Sequence, residues 1–160
     1  MERIVKSIEI TLKHEEELEN AEQQLLQVAK AATFRSYAPY SHFRVGAAVA
    51  LENGEIISGN NQENSSYPQG LCAERTTLFY ASSRYPDTPV TTLCIAARDS
   101  SGEFTKVPIS PCGGCRQVML ETEHRYGKNI KVMLYGTNGI YILQSASDLL
   151  PVGFNQDSLT

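Results

Sequence analysis

The spacing of apolar residues along the chain predicts three helices. Between residues 16 and 36 apolar residues recur at intervals of three and four, as in an amphipathic helix: Leu18, Ala21, Leu25, Val28, Ala29 and Ala32. Acidic residues open this segment, where they suit the positive end of the helix dipole. Pro39 closes it, because the residue before a proline is disfavoured in a helix. Two further segments, at about 72–83 and 112–125, also read as helices with apolar positions available for packing.

Short apolar runs between the helices predict the strands of a sheet. Five segments have the length and the β-branched or small residues of buried strands: 44–51, 55–59, 91–97, 130–135 and 140–143. The Asn53-Gly54 pair between the first two is a strong signal for a hairpin turn. Alternation within residues 4–13 predicts a further strand at an edge, with one polar face. This order of elements indicates a mixed sheet with helices packed against it.

Composition is that of an ordinary globular chain with a mild acidic balance. The 160 residues are 41% hydrophobic and 20% charged, which suits one domain with a sizeable core. The net charge is −4 and the basic residues are scattered, which argues against binding to a nucleic-acid backbone. No apolar run approaches the roughly 18 residues of a membrane span, and the first residues lack the apolar stretch of a secretory signal. We therefore expect a cytoplasmic, single-domain protein over residues 1–160 that acts on a small molecule.

The four cysteines fall into two groups by their surroundings. Cys94 lies within an apolar strand, so we interpret it as a small core residue. Cys72, Cys112 and Cys115 lie where two predicted helices begin, and that position favours the thiolate form that binds metal. Three soft ligands indicate zinc, and neither Cys94 nor any of the three histidines has the spacing of a fourth ligand. Three ligands and an open position are typical of a catalytic zinc site, which lowers the pKa of bound water.

Glu74, two residues after Cys72, is the candidate proton carrier. At the first turn of a helix its carboxylate can approach the water without binding the metal. The alternative is a solvated glutamate that the helix dipole favours, but the matched cysteines make the catalytic interpretation the better one. Arg75 and Arg116 each follow a cysteine motif, and a guanidinium that donates to a thiolate would offset the negative charge of the site. A surface salt bridge is the alternative for both arginines.

Two motifs resemble those of a known family. Cys72-Ala73-Glu74-Arg75 and Ser110-Pro111-Cys112-Gly113-Gly114-Cys115-Arg116-Gln117 match the signature of the zinc nucleoside and nucleobase deaminases. Over roughly residues 21–155 the sequence resembles cytidine deaminase in its small homotetrameric form. The likeness includes residues 37–47, residues 61–67 and the Leu-Leu-Pro motif that precedes Phe154.

The resemblance implies the fold. It is a three-layer α-β-α arrangement around a mixed five-stranded sheet. Residues 1–15 form an N-terminal extension beyond the usual start of the family. We expect this extension to add a strand at a sheet edge or at a subunit contact.

The resemblance also implies the activity. Cys72, Cys112 and Cys115 would bind one zinc ion per chain, and Glu74 would carry protons. The reaction would be hydrolytic deamination of cytidine and deoxycytidine to uridine and deoxyuridine, a step of pyrimidine salvage.

The resemblance further implies how the nucleoside is held. Phe43 would stack on the base, and the backbone N–H of Ala73 would meet the base carbonyl. Asn61 and Glu63 would bind the sugar hydroxyls. In a homotetramer, three residues would reach the site of a neighbouring subunit: the backbone of Ser65, Tyr67 and Phe154. Ser65 stands where the family commonly has alanine, which leaves a backbone contact intact.

Other activities remain open at this point. A blasticidin-S deaminase is similar around the cysteines but lacks the Asn61-x-Glu63 pattern. A deoxycytidylate deaminase would need cationic groups for the phosphate, and a deaminase of RNA or DNA would present a basic surface. A non-enzymatic zinc module would have a fourth protein ligand.

Overall fold

A computed structural model describes residues 1–159 of the chain. Six strands make up the sheet: β1 (Thr11–Lys13), β2 (Arg44–Leu51), β3 (Ile56–Asn60), β4 (Val90–Arg98), β5 (Lys131–Gly136) and β6 (Gly139–Leu143). The helices are α1 (Asn20–Ala32), α2 (Ala73–Arg84) and α3 (Gly113–Tyr126). Over the residues described, no helix combines the length and apolar character needed to cross a membrane.

The strands form one mixed sheet in the order β1-β6-β5-β4-β2-β3. β4 and β5 are parallel and are connected through α3, whereas the other neighbours are antiparallel. A parallel pair needs such a crossover because the chain must return to the same end of the sheet. The mixed sheet that the sequence predicted is therefore present.

Alternate residues of the central strands face two different helical layers. On β4, Leu93 and Ile95 pack in one apolar cluster with residues of α2 and α3. Cys94 and Ala96 point the other way, into a second cluster with residues of α1. The period of two along a strand produces this division, and it confirms the three-layer fold. Cys94 is fully buried, as expected of a core residue.

Two glycines allow the helical layers to approach the sheet closely. A Cβ on Gly46 in β2 would lie 2.2 Å from the backbone oxygen of Ala29 in α1. On the other face of the sheet, a Cβ on Gly59 in β3 would lie 2.7 Å from Oγ1 of Thr77 in α2. The second contact fixes the depth at which α2 sits, and the site begins at the N-terminus of that helix.

The structure corrects several predicted boundaries. The helix predicted over 16–36 is α1, with short 3₁₀ turns at Glu15–Glu17 and Thr33–Arg35 on either side. The extra strand expected from the N-terminal extension is present: β1 pairs with β6 at the edge of the sheet, so the sheet has six strands instead of the family's five. The short strand predicted within residues 4–13 is β1, in which Thr11 pairs with Ile142, one residue before β6 ends. In this register Leu143, the last residue of β6, lies opposite Ile10, so residues before Ile10 have no strand to pair with.

Candidate metal centre and active site

Two helix N-termini bring the three predicted metal ligands together. Cys72 is the N-cap residue of α2, and Cys112 is the N-cap residue of α3. Cys115 lies one turn into α3 and is fully buried. The three sulfur atoms all lie within 4.8 Å of one another. Helix N-termini favour negative charge, so this placement stabilises thiolates.

The three thiols interact strongly with one another. The Sγ atoms of Cys72 and Cys112 are 3.8 Å apart, and those of Cys112 and Cys115 are 3.4 Å apart. The hydrogen bond with the Cys115 thiol lowers the pKa of Cys72 most, and burial tends to raise it. Arg75 and Cys112 lower it further, so that the pKa of Cys72 is about 5. The pKa of Cys115 is raised, first by the Cys72 sulfur and then by burial. Thiolates at these distances repel one another, and a cation in the middle of the cluster would relieve that repulsion.

The donor set fits a zinc ion. All three cysteines are free thiols. Within residues 1–159, no further His, Cys, Asp or Glu side chain joins this group at metal-binding spacing. Three soft thiolates suit zinc, and three protein ligands leave a coordination position for another molecule. The group therefore has the donor number of a catalytic site rather than a structural one.

Glu74 lies beside the thiols and is almost fully buried. Its side chain is 5% exposed and lines a cavity of about 270 Å³ together with Cys72 and Cys112. Burial raises the pKa of Glu74, and the Cys72 sulfur adds to this effect, whereas its own backbone N–H and Cys115 oppose it. A carboxyl group with a raised pKa near a metal site is suited to accept and return protons.

The two arginines that the sequence singled out do different things. Arg75 Nη2 lies 3.7 Å from Cys72 Sγ, within reach of a charge-assisted hydrogen bond to sulfur. Arg116 instead donates to two backbone carbonyls, from Nε to Pro111 at 2.8 Å and from Nη1 to Leu149 at 2.9 Å. The structure thus places Arg75, and not Arg116, as a donor to a thiol. Arg116 connects the start of α3 to the C-terminal segment.

A second cavity adjoins the first on its outer side. It has a volume of about 380 Å³ and is lined by Glu63, Tyr67 and eight neighbours, with no lysine or arginine among them. The inner cavity, which contains Glu74, also has no basic side chain in its lining. Ser41, Asn61 and Cys72 line both cavities. The two spaces therefore form one continuous candidate site, and we call them the inner and the outer cavity.

The side chain of Asn61 is largely occupied by bonds within the protein. Its Oδ1 accepts from Ser36 Oγ and from the backbone N–H of Val45 at 2.8 Å. Its Nδ2 donates to the backbone oxygen of Phe43 at 2.9 Å. An asparagine amide has two N–H donors and two acceptor lone pairs. One N–H of Asn61 therefore remains available to a ligand.

Glu63 is also held by the protein, through the loop that precedes β2. Its Oε2 accepts the backbone N–H groups of Tyr40 at 2.9 Å and Ser41 at 3.3 Å, and its Oε1 accepts the Ser41 hydroxyl. Burial tends to raise the pKa of Glu63, but these hydrogen bonds outweigh that effect and keep the pKa below its usual value. With about two acceptor sites per carboxylate oxygen, one site on Oε1 remains open. Asn61 and Glu63 together thus offer one donor and one acceptor, which matches one hydroxyl group.

The remaining predicted residues divide between the two cavities and the surface. Phe43 and Ala73 line the inner cavity, as a base-binding role requires. Tyr67 lines the outer cavity of its own chain and packs edge-on against Tyr40, with ring centroids 6.0 Å apart. Ser65 and Phe154 are exposed and lie outside both cavity linings. Their predicted contacts with a neighbouring subunit stay a prediction.

Sequence reasoning missed several residues that line the site. The inner cavity is also lined by Val45, Ile95, Ile109 and Ser110; Tyr40 lines the outer one, and Ser41 lines both. Ser110 and Ser41 lie in segments that resemble the deaminase family, but the functional roles in those segments were assigned to Cys112 and Phe43. Ile95 lies within the apolar run of β4, so its sequence context has only the pattern of a buried core residue.

Comparison with known protein families decides which family this chain belongs to. Residues 19–130 match the family described as "Cytidine and deoxycytidylate deaminase zinc-binding region". The chain belongs to this family. The match spans all three cysteines and Glu74, so the deaminase family supplies a reason for the clustered thiols.

Relatives and solved structures agree with the deaminase family. The cytidine deaminase of Halalkalibacterium halodurans is 39% identical over 137 residues, covering 86% of this chain and 96% of that protein. A probable cytidine deaminase of Dictyostelium discoideum is 35% identical over 147 residues, covering 91% and 89%. The crystal structure of cytidine deaminase from Burkholderia pseudomallei has a TM-score of 0.70 at 40% identity, covering 82% of this chain and 97% of that one.

Proposed function

We propose that this chain catalyses the hydrolytic deamination of cytidine and deoxycytidine to uridine and deoxyuridine, as a step of pyrimidine salvage. The observation that carries this proposal is the buried Glu74 beside three clustered thiols, at the inner end of a cavity with a sugar-sized outer part. The relatives named cytidine deaminase support the choice of base.

The chemistry is divided between the metal and Glu74. Cys72, Cys112 and Cys115 would hold the zinc ion, which would act as a Lewis acid that makes water nucleophilic at neutral pH. Glu74 accepts a proton from the attacking water and donates one to ring nitrogen N3. Once the water oxygen is bonded to C4, Glu74 takes the remaining proton from that oxygen and transfers it to the amino group, so that the C4–N bond breaks, ammonia leaves and the C4 carbonyl forms. Its raised pKa suits both directions of transfer.

Recognition of the nucleoside follows from the free hydrogen-bonding groups. Phe43 stacks on the base, and the N–H of Ala73, at the first turn of α2, meets the base carbonyl. Asn61 and Glu63 retain one donor and one acceptor, enough for one sugar hydroxyl. The 3′-hydroxyl is common to ribose and deoxyribose, so recognition of this group alone supports acceptance of both nucleosides.

Nucleotides are the principal rival substrates, since the family includes deoxycytidylate deaminases. A phosphate group would need cationic side chains or a cluster of N–H donors. Both cavity linings lack lysine and arginine, and the outer one carries the Glu63 carboxylate. We therefore expect deoxycytidylate to be turned over far more slowly than deoxycytidine. Equal rates would overturn the choice of an uncharged substrate.

The experiment follows the ultraviolet absorbance of cytidine. Wild type loaded with one zinc per chain should deaminate cytidine and deoxycytidine, and Glu74→Gln should lose at least about a hundredfold in kcat. Glu121→Gln, on the exposed side of α3, is the matched control and should keep full activity. Zinc analysis of all three proteins separates lost chemistry from lost metal. An inert wild type would contradict the proposed function, and a fully active Glu74→Gln would contradict the role of Glu74.

We also propose that one deaminase domain, built on the single sheet, assembles as a homotetramer whose subunits share sites. Support comes from large apolar side chains that the isolated chain leaves exposed: Phe34, Tyr67, Phe79, Tyr80 and Phe154. Sedimentation equilibrium should give four chain masses, and a monomer would refute the assembly. Four free thiols also support a reducing compartment such as the cytoplasm, which cell fractionation can test.

A further inference from the structure

Ser41 lies where the inner and outer cavities meet. It is one of the three residues that line both, with Asn61 and Cys72. Its hydroxyl donates to Glu63 Oε1 and accepts the backbone N–H of Phe43 at 3.0 Å. Both partners border the site, Glu63 in the outer cavity and Phe43 in the inner one.

The bond from Phe43 determines where the Ser41 proton points. A serine hydroxyl rotates freely and can donate in several directions. When the oxygen accepts the N–H of Phe43, the proton is directed away from that donor and toward Glu63 Oε1. The donated bond then leaves one acceptor site on Oε1, the site available to a sugar hydroxyl. Ser41 thus fixes both the position of the Glu63 carboxylate and the acceptor that a substrate meets.

The backbone around Ser41 is held in an unusual conformation by the same carboxylate. His42 has φ of 55°, in the left-handed region that is uncommon for residues other than glycine. The backbone N–H groups of Tyr40 and Ser41, just before it, both donate to Glu63 Oε2, and the N–H of His42 donates to the oxygen of Ala38 at 3.1 Å. Such a conformation persists when surrounding contacts determine it. The loop and Glu63 therefore position each other.

We propose that Ser41 is a positioning residue that sets the specificity for the sugar. Its hydroxyl orients Glu63 so that the remaining acceptor on Oε1 meets the 3′-hydroxyl of the nucleoside. This inference rests on the proposed deaminase activity and adds a determinant of substrate choice to it. Its consequence is selective: loss of the Ser41 hydroxyl weakens recognition of a 3′-hydroxyl and spares the chemistry at the base.

The test compares two substrates that differ at the 3′ position, deoxycytidine and 2′,3′-dideoxycytidine. Wild type should prefer deoxycytidine in kcat/KM. In Ser41→Ala, kcat/KM for deoxycytidine should fall about tenfold or more, chiefly through KM, because the hydrogen bond that orients a charged carboxylate is lost. For dideoxycytidine it should fall less than about threefold. Ser41→Thr keeps a hydroxyl and should restore most of the preference.

Two further variants make the result specific. Ser101→Ala is a matched control, because the Ser101 hydroxyl also donates to a carboxylate, that of Asp99, in an exposed turn. It should leave both substrates unaffected. In a Glu63→Gln background, adding Ser41→Ala should change the substrate preference little further, since both act on one contact. If Ser41→Ala fails to fold, Ser41→Cys, with a weaker donor of similar size, should show the same selective loss.

The possible outcomes distinguish failure of the proposed function from failure of the proposed role of Ser41. Wild type without activity on deoxycytidine would defeat the proposed function itself. An active wild type that does not prefer deoxycytidine would show that Glu63 does not read the 3′-hydroxyl. Equal losses on both substrates in Ser41→Ala would show that Ser41 supports the loop without setting specificity. Only a selective loss, restored in Ser41→Thr, supports the positioning role.

Discussion

The contacts of Glu123 allow a quantitative test of how α3 holds the chain before β5 and after β6. This residue of α3 is 7% exposed, and its carboxylate accepts the Ser145 hydroxyl and three backbone N–H groups. Those N–H groups belong to Ile130 at 2.7 Å, Ala146 at 2.6 Å and Ser147 at 3.0 Å. One buried carboxylate thus anchors both the start of β5 and the turn that follows β6.

The expected cost of removing this carboxylate can be estimated from those contacts. In Glu123→Ala three backbone donors lose their acceptor, and each buried unsatisfied group costs about 1–3 kcal/mol. Water can enter the vacated space and satisfy part of them. We therefore expect a loss of about 3–5 kcal/mol in the free energy of unfolding, a large share of the roughly 5–15 kcal/mol of a typical domain. Glu123→Gln should lose less, because its amide oxygen still accepts.

Urea unfolding followed by circular dichroism measures this loss, at one fixed protein concentration because assembly also contributes to stability. Glu121→Ala is the control on the same helix: it is exposed and should stay within about 0.5 kcal/mol of wild type. A Glu123→Ala variant that lost less than about 1 kcal/mol would refute the reasoning, since it would mean that the backbone donors find other partners at little cost.

Three further outcomes are expected. Burial tends to raise the pKa of Glu22, but the hydrogen bond from Lys131 outweighs it, so the pKa lies below the usual 4.5. Wild type should therefore be more stable than Glu22→Gln at pH 7, and thermal unfolding should show this difference shrinking as the pH falls below 4.5. Gly59→Ala should lower stability by about 1–3 kcal/mol, because its Cβ would meet Thr77; an unchanged unfolding midpoint would argue against this close contact. Arg75→Gln should reduce kcat about tenfold or more with one zinc still bound, as absorbance assays and metal analysis can establish, and full kcat would exclude its role at the thiols.

The sequence predicted well the features that depend on residues close together along the chain. The strand over residues 44–51 was predicted with the boundaries of β2, because its small and β-branched run ends at the Asn53-Gly54 turn. The helices that begin after Cys72 and Cys112 were located by their motifs to within one residue. Zinc as the cofactor followed from the number and type of these thiols, because ligand chemistry is a property of the residues themselves.

Contacts between distant segments were decided by the tertiary structure. The sequence left open whether the N-terminal strand joins a sheet edge or a subunit contact, because alternation signals an extended segment but not its pairing partner; the strand pairs with β6 at the edge of the sheet. Arg116 was expected at a thiol and instead binds carbonyl oxygens, since the direction of a long side chain depends on what packs around it.

Ser41 shows the same division most clearly. The sequence determined that this chain carries a serine, a glutamate and a phenylalanine in motifs of a deaminase. It contained no sign that one hydroxyl would link the other two, because Ser41 and Glu63 are 22 positions apart and meet only when the loop before β2 folds over the end of β3. Residue types and local periodicity determined the cofactor and most of the elements. The packing of the helices and loops on the sheet decided which of those groups keep a free hydrogen bond for a substrate.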